Sequence, residues 1–199
     1  VINGAEMDDV AYNRLRMTID KTFDFRIGKE FFYDMIANHA RDNIYNAVCD
    51  YLAALRWDGT KRIDRWLATY AGAKDDEYTR AVGVLVLVAA VRRARQPGCK
   101  FDEMLILEGP QGKNKSSALK ILAVRPEWIC DDLPLGADTK KIMEQIQGVW
   151  IVEAPELKGM TRADVNALKS MVSRTVDTTR LAYGRKRVAR PRQFIMIGT

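Results

Sequence analysis

The chain has 199 residues, 47% of them hydrophobic, with 32 Lys and Arg against 26 Asp and Glu for a net charge of +6. That composition excludes a disordered or fibrous chain and is long enough for one domain with a sizeable core, with or without a small accessory lobe. Cys49, Cys99 and Cys130 lie far apart without a CxxC pairing, and His39 is the only histidine, so a disulfide scaffold, a zinc module and Ser-His-Asp catalysis are all disfavoured and a reducing compartment is expected.

The first hundred residues read as mainly helical. The opening ~40 residues leave two readings open, because KTFDFRIGKEFFYDMI fits a hairpin or a helix. Ile44, Val48, Tyr51, Leu52 and Leu55 then recur at three- and four-residue spacing, which predicts one apolar helix face. Trp57-Asp58-Gly59 is expected to stop that helix, with the indole packed on the core. A short helix from Arg62 to Tyr70, burying Ile63, Trp66 and Leu67, should end before Gly72. A longer one from about Asp75 to Arg95 should end at Gln96-Pro97-Gly98, since proline cannot continue the ladder. It contains the most apolar run, Ala81 to Val91; at eleven residues this is too short for a membrane span, which needs about 20, and is expected to be a buried helix core. The chain opens on Val1 with no charged-then-apolar leader, so it reads as part of a longer intracellular protein, cytoplasmic and without a membrane partner.

After Lys100 the pattern changes, and residues 101–199 read as an α/β core following the helical lobe of residues 1–100. Strands are predicted at Met104 to Leu107, Glu127 to Cys130, Val149 to Val152 and Gln193 to Ile197, and helices at Ser116 to Leu122, Thr139 to Gln147 and Arg162 to Val172. Such alternation implies a mostly parallel sheet with helices on its faces.

Between the first strand and its helix stands Gly109-Pro110-Gln111-Gly112-Lys113-Asn114-Lys115-Ser116-Ser117, in the place of a phosphate-binding loop. Such a loop wraps its backbone N–H groups around phosphate oxygens at a helix N-terminus. Lys115 would reach the β- and γ-phosphates, and the Ser116 hydroxyl would hold Mg²⁺. The pattern GxxxxGK[ST] fails at one position, where Asn114 replaces glycine; asparagine tolerates the left-handed conformation better than most residues. A nucleotide hydrolase also needs a carboxylate on a neighbouring buried strand. Glu153 supplies it, 38 residues after Lys115, as a second metal ligand and catalytic group, and Glu156 is a further candidate as base or positioning residue.

Seven basic residues (Arg174, Arg180, Arg185, Lys186, Arg187, Arg190, Arg192) face only Asp177 between positions 174 and 192, so this stretch carries the chain's whole net charge. It fits either phosphate or nucleic-acid binding, or a solvated arginine-rich loop. Arg180 and Arg192 are the preferred cations for charge developing on a γ-phosphate. Asp131-Asp132 reads as either a metal site or a solvated acidic loop. Lys140 and Lys141, opening a helix against its dipole, hint at a partner such as DNA.

These stretches resemble the virulence-associated E (VapE-like) family of P-loop ATPases of phages and mobile elements, often joined to a primase. The resemblance is carried by LRWDGTKRIDRWLATYAGA, PGCKFDEMLILEGPQG, VWIVEAPELKGMTRADVNALKSMVSRTVDTTRLAYGR and PRQFIMIGT, in order from about Asp42 to Thr199. It implies a helicase-like, AAA+-related P-loop NTPase core of the additional-strand type, using ATP and Mg²⁺ in replication, with DNA, a homo-oligomeric ring and a primase as implied partners. The family roles fall on Lys115, Ser116, Glu153 and Glu156, with Arg180 and Arg192 on its basic positions. The sequence departs from the family at Asn114, and it stops at Thr199 where the family continues with an asparagine. The competing expectations are a nucleotide-sensing or DNA-binding module that does not hydrolyse, and a kinase-like phosphotransferase.

Overall fold

The computed structural model describes residues 7–133, 139–154, 157, 160–180 and 187–199. They divide into two compact units between Tyr45 and Asn46. The change of pattern near residue 100 therefore falls inside the second unit.

The first unit is a pair of helices, which resolves the open reading of the N-terminal stretch. Helix α1 (Asp9–Phe23) is capped by Asp8, whose carboxylate accepts from the Ala11 N–H at 2.7 Å, and it ends at Asp24 in the left-handed conformation. Helix α2 (Lys29–Asp42) begins after Gly28. Ile27 and Phe32 are buried here, and Tyr12 stacks on Tyr33 with ring centroids 4.9 Å apart.

The second unit opens with α3 (Ala47–Ala54), capped by Asn46, which accepts from the N–H groups of Val48 and Cys49. The helix ends at Leu55, whose backbone is extended, so Trp57-Asp58-Gly59 does not stop it. Nor does the indole pack on the core, since Trp57 is 76% exposed. The segment is a local turn: Asp58 accepts from the Thr60 N–H at 2.9 Å and pairs with both terminal nitrogens of Arg62. Ile44 and Ile63 are exposed as well, against expectation. Helix α4 (Trp66–Ala71) is shorter than predicted, buries Leu67, and ends at a left-handed Gly72. Trp66 donates through Nε1 to the Gly83 carbonyl at 2.9 Å, and a Cβ on Gly83 would lie 2.9 Å from that same nitrogen. Glycine is thus what lets α4 close on α5 (Glu77–Arg95), whose N-cap is Asp76.

The apolar run of α5 is buried on one face only, through Val86, Ala89, Ala90 and Ala94; Leu85 and Val88 remain exposed. The alanines bring the helix backbone near the sheet, where the Trp150 indole donates to the Ala90 carbonyl at 2.9 Å. Arg93 is buried among these residues and donates to the carbonyls of Phe101 and Phe194, tying together the segments that lead into the first and last strands of the sheet.

The sheet contains β1 (Leu105–Ile106), β2 (Ile129–Cys130), β3 (Ile151–Ala154) and β6 (Ile195–Gly198), all parallel in the order β1-β6-β3-β2. Both faces are covered, as parallel strands require. Ile151, Ile195 and Ile197 pack with α5, with Leu119 and Ala123 in and after α6 (Lys115–Leu122), and with Trp128. Val152, Phe194 and Met196 point to the opposite face and pack with α7 (Thr139–Gln145) and α8 (Arg162–Val172). Helix α8 opens with a capping box in which Thr161 and Asp164 satisfy each other's backbone N–H groups.

Two boundaries differ from the sequence reading with a consequence for the site. Strands β3 and β6 begin two residues later than expected, so Glu153 lies within β3. The basic stretch is not a bare loop. It contains β4 (Val176–Thr179) and β5 (Val188–Pro191), an antiparallel pair in which Asp177 faces Arg190. Neither VDTT nor VARP alternates apolar and polar residues, which is why the stretch reads as a loop.

Candidate functional site

Strands β1, β3 and β6 run parallel, so their carboxyl ends meet at one edge of the sheet, the usual place for a ligand in an open α/β sheet. The segment from Leu107 to Asn114 leaves β1 there and enters α6. Gly112 has φ +78°, and Asn114 has φ +55° and ψ +28°, both left-handed. The asparagine therefore takes the conformation a glycine would supply. As N-cap of α6 it makes no side-chain hydrogen bond to the first turn, whose N–H groups it leaves uncapped. Lys115 folds back over the loop, donating from Nζ to the carbonyls of Gly109 and Pro110, each at 3.1 Å.

One residue on, Ser116 donates from Oγ to Glu153 Oε1 at 2.7 Å. The Thr199 hydroxyl donates to the same carboxylate oxygen, also at 2.7 Å. Glu153 is 2% exposed, and its second oxygen, Oε2, is buried with no hydrogen-bond partner among the described residues. A buried carboxylate oxygen is costly unless a donor or cation meets it. The donor set is a hydroxyl and a carboxylate, hard oxygens of the kind magnesium takes. Among the described residues no group of three or more His, Cys, Asp or Glu side chains forms a metal cage. The residues present fit an ion that keeps most of its waters and shares phosphate oxygens, as Mg²⁺ does.

Lys115, Ser116 and Glu153 are thus brought together with the loop residues Gly109 to Ser117. Glu156 lies outside the described residues, as do Arg185 and Lys186. Arg180 is exposed just past the end of β4. Arg192 is 2% exposed and holds the Asp177 carboxylate through Nε at 2.5 Å and through Nη2 at 2.7 Å. It also donates to the Met171 carbonyl and lies over the Phe194 ring. Its guanidinium is held in a buried ion pair within the hairpin segment and bonded to the last turn of α8, so it is not presented to solvent. The Asp131-Asp132 pair is also accounted for: Asp131 pairs with Lys120 at 2.8 Å, which holds its carboxyl below the ordinary value, and Asp132 accepts from the Cys130 thiol.

Thr199 is the site residue that sequence reasoning undervalued. A polar residue after an apolar strand was the available signal, but only the pairing of β6 beside β3 brings its hydroxyl to Glu153.

The family model for the virulence-associated protein E-like domain matches residues 52–199. The chain belongs to that family. No curated protein matches it. No described helix is long and apolar enough to cross a membrane.

Proposed function

We propose that the chain is a Mg²⁺-dependent P-loop ATPase domain acting on DNA in phage or mobile-element replication, in the cytoplasm of a bacterial host. The observation that carries this reading is the bond from Ser116 to Glu153, which joins the loop entering α6 to a buried carboxylate on β3 and leaves Oε2 open. The strand order supports it too: β6 lies between the loop strand β1 and the acidic strand β3, the additional-strand arrangement that the resemblance implies.

In this mechanism the loop N–H groups and the start of α6 hold the phosphates. Lys115 exchanges its two carbonyl partners for β- and γ-phosphate oxygens, a change of partners that needs only side-chain rotation. Ser116 and Glu153 would hold Mg²⁺, which would supply neutralisation of charge on the transferring phosphoryl group. Glu153 accepts a hydrogen bond from the attacking water through Oε2, and Thr199 with Ser116 fixes the carboxylate's rotamer. Glu156 remains the second acidic candidate, and Arg180 is the cation proposed for the γ-phosphate. Ring assembly and a primase partner follow from the family reading alone.

Phosphate release from ATP, measured with and without Mg²⁺ and single-stranded DNA, tests the reading. Release that disappears in Lys115→Ala and in Glu153→Gln supports it. Tight nucleotide binding with no turnover in any of these conditions favours instead a nucleotide-sensing module, the reading that Asn114 motivates.

A further inference from the structure

Beside the phosphate loop the second unit carries a cleft of about 1460 Å³. One wall is the end of α4, the turn at Gly72 and the first turns of α5; the other is β1, the loop itself and α6. Tyr70 and Tyr78 line the helical wall and are 73% and 77% exposed. Leu85, Ile106 and Ile121 line the same space and are also exposed. Lys115 and Asn114 stand in it too, so the apolar region is continuous with the loop. Large apolar groups left in water around one concave space mark a binding site rather than a core.

We infer that this cleft is the nucleobase subsite for the nucleotide whose phosphates the loop holds, with the base packed on Tyr70 and Tyr78. The inference rests on the phosphate-loop reading and deepens it. Phosphate recognition at a helix N-terminus fixes only the charged end of a nucleotide. The base at the other end is planar and poorly hydrated on its faces, and it gains from aromatic and aliphatic surface. The cleft provides both within one continuous space, and the two tyrosines have their rings available because neither is spent on the core. Glu108, immediately before the loop, lines the cleft with an acceptor-only carboxylate, which suits the N–H donors of a purine.

Calorimetric titration of the full chain with ATP and inorganic tripolyphosphate, each with Mg²⁺, tests this. The Tyr70→Ala/Tyr78→Ala double variant should bind ATP about tenfold or more weaker, the scale of lost base stacking, and tripolyphosphate as the parent does. Tyr70→Phe/Tyr78→Phe should bind ATP nearly as the parent does, because the ring and not the hydroxyl makes the contact. Both tyrosines are exposed, so the alanine variant should melt with the parent. If it binds ATP unchanged while Lys115→Ala loses both ligands, the base lies elsewhere and the loop reading stands. If it loses tripolyphosphate along with ATP, the tyrosines shape the loop and the subsite is overturned. A parent chain that binds neither ligand overturns both readings together.

Discussion

Ser116 and Glu153 lie 37 residues apart in the chain, yet the hydroxyl of one donates to the carboxylate of the other at 2.7 Å. The bond links the first turn of α6 to the middle of the sheet. Glu153 faces α6 because it is two residues after Ile151, and alternate residues of a strand share a face. Among the described residues the carboxylate's other oxygen has no hydrogen-bond partner, although it is buried.

Glu153→Gln keeps the volume and the oxygen that receives Ser116 and Thr199 but removes the charge. ATP hydrolysis should fall by about a hundredfold or more, the usual contribution of a positioned acid or base, with nucleotide binding retained. Single-turnover phosphate release alongside calorimetric binding checks this, and equal loss of binding would show that Glu153 acts mainly in holding the nucleotide.

Lys115→Ala removes a side chain whose two bonds are to loop carbonyls. A fluorescent ATP analogue should bind at least about tenfold more weakly, consistent with loss of a charge-assisted phosphate contact. Thermal unfolding should be nearly unchanged because the side chain is only half-buried.

Asn114 occupies the left-handed region, where a residue with a Cβ costs about 1–2 kcal/mol and a β-branched one costs more. Asn114→Gly should therefore preserve nucleotide affinity, and Asn114→Val should weaken it by about tenfold or more, since each 1.4 kcal/mol is a factor of ten. Titration of the same analogue on both variants reads the difference. Equal affinities would mean that the loop does not need this conformation when occupied.

Arg192→Met should destabilise the fold by about 3–5 kcal/mol, because it leaves Asp177 charged and buried. Urea unfolding measures this. The paired change Arg192→Met/Asp177→Leu should recover a large part of the loss, whereas an arginine acting on phosphate would show a binding defect that the second change does not repair.

Cys130 is 6% exposed, and burial pushes its thiol from an ordinary value near 9 up to about 11. In the unfolded chain the thiol ionises first, so the unfolded state loses protons over that interval while the folded state keeps them. Stability from this group is present below pH 9 and falls as pH rises toward 11. Urea midpoints at pH 8 and pH 10 should differ less in Cys130→Ala than in the parent; equal slopes would show that Cys130 does not contribute.

Much of the architecture was legible in the sequence because it depends on neighbours along the chain. The end of α5 before Pro97 and the start of α8 at Arg162 follow from proline's missing donor and from the capping box between Thr161 and Asp164. The loop from Gly109 to Ser117, and even the left-handed Asn114, could be read from residue type and spacing. The family was legible in the same way, from motifs in a fixed order. The role of Arg192 was not. Its position in a run of basic residues suggests a solvated or phosphate-facing group, but the pairing of β4 with β5 folds it inward onto Asp177, fifteen residues away. Trp57 failed in the opposite direction, because a tryptophan beside a helix looks like core until the turn around Asp58 holds it out in solvent. The second hydrogen bond to Glu153, from Thr199, depends on β6 taking its place between β1 and β3. Local stereochemistry and residue spacing determine elements, caps and the loop between β1 and α6. Which charges are buried in pairs and which are left open to a ligand is decided by strand order and packing, since desolvation is a property of the assembled neighbourhood and not of the residue.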